Sequence, residues 1–325
     1  MNQAAAKPTM NKRRKISRQT RQIVSTAGAL LVLAIVFTIA NPNFISSMNI
    51  LNILKQATPI IIIAIGQTFV LITSGIDLSI GSVIACSGIV AAICMRAGWP
   101  VWLSMIAGLL FGAGVGVLNG VLIVYGKLPA FIATMGTMTT IRGLALFLTQ
   151  GIPIGSLPKS FTQIGTQRNW LFNVPNQVWI MFILAVIFGF VLAKTKVGRY
   201  TYAMGSNYEA TRLSGVNVNQ TLIIVYTISA FLAAWAGMIM TANVISAAPT
   251  AGDGYELDAV ASSVIGGAST LGGEGIVPGT VLGALVIATL RNGLNLSGAS
   301  PFIQKMIIGI VIIGAVFIDR FRRND

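Results

Sequence analysis

Ten apolar runs divide the chain: Ile23–Ala40, Ala57–Thr73, Leu78–Met95, Val101–Tyr125, Ala130–Leu148, Trp179–Ala193, Thr221–Ala242, Leu257–Ala268, Ile276–Leu290 and Pro301–Phe317. A membrane-crossing helix needs about 20 such residues, with a range of about 17–25. In hydrocarbon every backbone amide must find its partner inside the protein, and a helix does this within its own segment. The expected fold is therefore all-α: a polytopic membrane protein with about ten transmembrane helices. Leu257–Ala268 is the shortest run and ends in Gly266-Gly267. It reads as a discontinuous helix, tolerated where protein or an aqueous cavity satisfies the freed backbone.

Composition closes off the soluble alternatives. Only 9% of the 325 residues are charged, against about 25% in soluble domains, and the mean hydropathy is +0.80. The net charge of +14 does not signify nucleic acid, because the cations occupy the tails and the loops between apolar runs. Alternating ten spans from an N-terminus inside the cell leaves fifteen Lys and Arg inside, and only Arg96, Lys159 and Arg168 clearly outside. That asymmetry is the positive-inside pattern, and it places both termini in the cytoplasm. The expected organisation is a basic cytoplasmic tail (1–22), one transmembrane domain (23–320) with a cytoplasmic loop at 194–220, and a short cytoplasmic tail (321–325). The first apolar run is on the long side for a signal peptide, and no A-x-A site follows it, so it reads as an uncleaved helix. Gln150–Gln177 is the longest outer loop, held irregular by Pro153, Pro158 and Pro175.

A faint internal repeat runs through the spans. Gly75-Ile76-Asp77-Leu78 resembles Gly254-Tyr255-Glu256-Leu257, and Asn119-Gly120 before Pro129 resembles Asn292-Gly293 before Pro301. Spans two to five then repeat as seven to ten, and the odd offset inverts the second copy across the bilayer. Inverted repeats are a recurrent transporter plan, with the solute path between the copies.

Little in the chain supports enzyme chemistry. There is no histidine, and Cys86 and Cys94 share one apolar run without metal-type spacing, so no metal is expected. Gly112-Ala113-Gly114-Val115-Gly116 lies inside a span with no preceding soluble strand, and reads as close helix contact through small residues rather than a dinucleotide fingerprint. Gly266-Gly267 and Gly272-Gly273 lack the G-K-[ST] of a phosphate loop, so the chain is expected to have no ATP site of its own and no cofactor.

Two roles are open to Asp77, the one acidic residue in the first 200 positions. It can cap the helix beginning at Leu78, or it can contact or protonate a solute. Capping is the simpler role. Arg142 is expected to be paired or snorkelling. Gln67, Thr68, Asn119, Asn243 and Asn292 are neutral hydrogen-bonding groups inside spans, suited to an uncharged hydroxylated solute. Each is equally suited to holding neighbouring helices together.

The polar stretch Lys194–Gln220 interrupts this apolar chain. Within it Tyr208–Ser214 can form a short helix, with Asn207 as N-cap, Glu209 in the first turn and Gly215 as the stop. It is either a solvated connection or a knob shaped to fit another protein.

Several motifs resemble the ribose-type (monosaccharide) permease subunits of ABC importers, the inner-membrane component of binding-protein-dependent transport. They are Thr73–Ser79 (TSGIDLS), Leu128–Thr134 (LPAFIAT), Gly198–Val218, Pro249–Ala261 and Val264–Gly275. The likeness runs from about Asn43 to the C-terminus. It implies a membrane subunit that works in pairs (homodimer or heterodimer), beside a cytoplasmic ATPase that carries ATP and Mg. An extracytoplasmic sugar-binding protein feeds it. It further implies that Gly205, Asn207, Glu209, Ala210, Arg212, Ser214 and Gly215 form a coupling helix docked on the ATPase. Which sugar is carried stays open. The competing class is a stand-alone secondary transporter or channel for a small polar solute, which ordinarily carries more ionisable residues within its spans.

Overall fold

In the computed structural model, residues 18–166 and 174–322 are described. Most of the basic tail, together with Arg168 and Arg323, lies outside the described residues. The helices are α1 (Arg18–Ala40), α2 (Ser47–Ile72), α3 (Ile80–Arg96), α4 (Val101–Val124), α5 (Ala130–Thr149), α6 (Lys159–Thr166), α7 (Asn176–Lys194), α8 (Lys196–Ser206), α9 (Tyr208–Leu213), α10 (Val218–Val244), α11 (Tyr255–Ile265), α12 (Val277–Leu296) and α13 (Pro301–Arg322). Among the described residues the only extended pairing is the isolated bridge Ile154–Ala247. The protein is an all-α polytopic membrane protein, and each of the ten apolar runs carries a helix. Seven are long and apolar enough to cross a membrane: α1, α2, α4, α5, α7, α10 and α12. The span at Leu257–Ala268 is indeed short, since α11 ends at Ile265 before Gly266.

Three local features depart from expectation. Helix α2 begins ten residues before the apolar run, because the Ser46 side chain accepts the Asn49 N–H and starts the helix among polar residues. The outer loop is not wholly irregular: α6 forms inside it and buries Phe161. The polar loop holds two helices rather than one, α8 preceding α9. Thr195 starts α8 by accepting the Gly198 N–H.

Helices α2 and α10 form the centre. Every residue of α2 from Ala57 to Ile72 is buried, as expected of a helix that is apolar all round. Helix α2 contacts α10, α11 and α12, while α10 contacts α2, α3 and α4. Helices α3 and α11 contact α4 with α5 and α12 with α13, respectively. Exchanging α2–α5 (with α2 replaced by α10, α3 by α11, α4 by α12 and α5 by α13) maps each of these contacts onto another. The contact pattern is that of two repeated sets of helices. In the glycine run of α4, Gly112 and Gly116 abut α10, whereas Gly114 faces open space.

Candidate functional site

The loop between α7 and α10 builds an exposed knob. Asn207 is extended (φ −160°, ψ 101°), and its side chain accepts the Ala210 N–H at 2.9 Å. The same residue closes α8, donating its own N–H to the Ala203 carbonyl at 2.9 Å. Glu209 accepts from Arg212 at 2.8 Å on the exposed face. Asn207, Glu209, Ala210, Arg212, Ser214 and Gly215 are all exposed, and Leu213 is 80% exposed. Thr211 alone in α9 is buried, anchoring the knob from beneath. Gly215 takes φ +82° and ends the unit.

Below the knob, α8 lies on two turns that interrupt the membrane helices, Thr73–Ser79 after α2 and Gly266–Ile276 after α11. The Tyr202 hydroxyl donates to the Gly275 carbonyl at 2.5 Å. Burial pushes this phenol up to about 12, so it remains a donor at neutral pH. Gly205 sits against the Ile72 carbonyl and the Gly273 amide, where a Cβ would collide with the Ile72 oxygen.

Deeper in the protein, the first turn carries a fully buried polar cluster. The Asp77 carboxylate accepts from the Ser79 N–H (3.0 Å) and hydroxyl (2.6 Å), and from the Ser229 hydroxyl of α10 (2.9 Å). The Asn119 amide donates to Ser79 Oγ at 2.8 Å. The Gln67 amide, oriented to satisfy both its groups, meets the Asp77 backbone at 3.1 and 3.3 Å. Asp77 therefore stabilises the turn ahead of α3, whereas the residue at the N-cap position is Ser79. The expected helix start at Leu78 is two residues early.

Residues 49–316 match the family described as branched-chain amino acid transport system / permease component. The ribose import permease protein RbsC of Haemophilus influenzae is 44% identical over 297 residues, covering 90% of this chain and 91% of that protein. The L-arabinose transport system permease protein AraH of Escherichia coli is 37% identical over 300 residues, covering 91% of each. A probable ABC transporter permease protein, y4mJ of Sinorhizobium fredii, is 37% identical over 332 residues. No solved structure matches. The chain belongs to this permease family.

Of the permease's candidate path residues, the fold gathers only Gln67 and Asn119, both around Asp77. Asn292 lies elsewhere and accepts from Asn49 at 2.9 Å, joining α12 to α2. Thr68 likewise joins helices, bonding Thr280 of α12 (2.7 Å) and Ser263 of α11 (3.1 Å). Asn243 is exposed at the far end of α10. Arg142 donates to the Pro249 and Ala251 carbonyls at 2.6 and 2.9 Å, pinning the loop before α11. Sequence reasoning missed Ser229, Tyr202 and the Arg291–Asp258 ion pair at 2.5 Å. Ser229 carries no local signal, being one hydroxyl in an apolar run. Asp258, within a span, was the one legible hint of a buried pair.

Proposed function

We propose that this chain is the permease subunit of an ABC importer in a bacterial inner membrane, carrying ribose or a similar monosaccharide into the cell. The observation that carries this is the exposed knob α9, capped by Asn207 and bearing Leu213 to solvent on the loop richest in cations. Positive charge on that loop supports a cytoplasmic position for it, with both termini on the same side. An exposed apolar side chain on a capped helix suits docking on a partner, and the partner is a cytoplasmic ATPase. ATP and Mg belong to that subunit, and this chain has no ATP site of its own. A second permease subunit completes the path, and an extracytoplasmic binding protein delivers the sugar to the opposite face.

The substrate class rests on the relatives, which are named for ribose and L-arabinose. The neutral groups around Asp77 suit an uncharged hydroxylated solute, which exchanges hydrogen bonds at small net cost. The family's description favours a second class, branched-chain amino acids. Transport proceeds by alternating access: nucleotide-dependent movement of the ATPase displaces α9 and biases the inward against the outward state.

The test is purification of the chain with its neighbours, followed by uptake in proteoliposomes with D-ribose, L-arabinose and leucine. Co-elution of an ATPase and ATP-dependent pentose uptake are expected. Concentration of any solute by the chain alone defeats the proposal, and leucine uptake without pentose uptake moves the substrate to the second class.

A further inference from the structure

The two turns beneath α8 come from opposite copies of the inverted repeat. Thr73–Ser79 links α2 to α3 in the first copy, and Gly266–Ile276 links α11 to α12 in the second. They are sewn together. The Gly273 N–H donates to the Ile72 carbonyl at 2.9 Å, and the Ser74 hydroxyl donates to the Leu271 carbonyl at 2.9 Å. The second turn is rich in glycine, with Gly267, Gly272 and Gly273 at positive φ. Few of its side chains can pack, so backbone bonds largely decide its position.

Helix α8 closes over this seam from the knob side. Its Gly205 backbone touches both strands of the seam at once, against Ile72 and Gly273. Its Tyr202 hydroxyl holds the Gly275 carbonyl at 2.5 Å. Directly past Gly205 and Ser206, α8 continues into α9 through Asn207 alone, which hydrogen-bonds to both helices. The first turn also carries Asp77, so whatever moves the seam moves the buried cluster of Gln67, Ser79, Asn119 and Ser229.

The geometry points to Tyr202 and Gly205 as positioning residues of a relay: α8 is a strut that delivers movement of α9 to both repeat copies at once, through the seam at Ile72 and Gly273. The relay rests on the proposed docking of an ATPase at α9. A displacement reaching only one copy would open one half of the path, whereas the seam makes both turns move together. Removing the Tyr202 hydroxyl loosens the strut from the second turn without altering the knob itself.

Two measurements test this on the Y202F and S74A variants, with Tyr200→Phe as the control that removes a hydroxyl elsewhere on α8. In proteoliposomes holding the whole complex, the ATP hydrolysed per D-ribose imported rises about fivefold in Y202F, the effect of one hydrogen bond, while hydrolysis itself is retained. An unchanged ratio, or hydrolysis and uptake falling in equal proportion, overturns the relay. In the permease alone, in lipid nanodiscs, Y202F speeds amide hydrogen exchange in both turns, and S74A does the same at the seam. Unaltered exchange in Thr73–Ser79 of Y202F overturns the relay whatever the ATPase does. If the wild-type complex contains no ATPase or imports no D-ribose, the proposed function fails, and the exchange measurement still decides the relay.

Discussion

The Ser229 hydroxyl of α10 donates to the Asp77 carboxylate at 2.9 Å, with both residues wholly buried. This bond joins α10 to the turn between α2 and α3. A buried carboxylate is tolerated there because three donors surround it and the N-terminus of α3 follows at Ile80.

Removing those donors should therefore be costly. Ser229→Ala is expected to destabilise the permease by about 1–3 kcal/mol, the cost of leaving a buried acceptor short of a partner. Asp77→Ala should cost more, because it orphans the Ser79 and Ser229 hydroxyls together. Thermal unfolding in detergent reads both, and an unchanged midpoint in Asp77→Ala would show the cluster to be unimportant for stability.

The glycine run in α4 offers a matched pair. A Cβ at Gly116 would lie 2.5 Å from the Tyr226 carbonyl oxygen and 2.6 Å from Thr227 Cα, whereas one at Gly114 meets nothing within 4 Å. Gly116→Leu should force α4 away from α10 and cost at least about 1–3 kcal/mol. Gly114→Leu should express and unfold like the wild type. Equal yields of folded protein from the two variants would contradict the observed α4–α10 contact.

The ion pair between Arg291 and Asp258 joins α12 to α11, and the Asp258 side chain is only 1% exposed. Asp258→Ala leaves the partly buried guanidinium without its counter-charge, at an expected cost of about 3–5 kcal/mol. Changing both residues to Ala should recover much of that loss. A double-mutant cycle on unfolding midpoints checks this, and additive effects would mean the two groups are not coupled.

At the knob, the Glu209–Arg212 pair is exposed and contributes at most about 1 kcal/mol to stability. Glu209→Lys should thus leave folding intact and abolish ATP-driven uptake by reversing charge on the docking face. Gly215→Trp forces an L side chain into φ +82°, straining the end of the knob by about 1–2 kcal/mol, and should have the same effect. Normal uptake by either well-expressed variant would count against docking at α9.

Much of the architecture is legible in the sequence. The ten apolar runs each carry a helix because the bilayer permits little else, and the N-cap chemistry of Asn207 marked α9 locally. The start of α2 was not legible, since Asn49, Asn52, Lys55 and Gln56 dilute its first turns and only the Ser46 cap reveals them. Helix α8 was hidden for a related reason: Lys196–Ser206 has neither an apolar run nor a strong helix-forming composition, and it is held by contact with the two turns on which it lies. Of the candidate path residues, the sequence could name polar groups inside spans but not sort those that meet from those that bind helices together.

What the chain alone determined is its solvent and its local units: hydropathy demands helices in a membrane, and capping residues and glycines mark where several begin and end. What only tertiary structure decided is which distant groups meet. Asp77 finds Ser229, Ile72 finds Gly273, and Tyr202 finds Gly275 because the packing of helices distant in the chain brings these groups together. No short-range pattern encodes such meetings, since each depends on the summed placement of helices far apart in the chain.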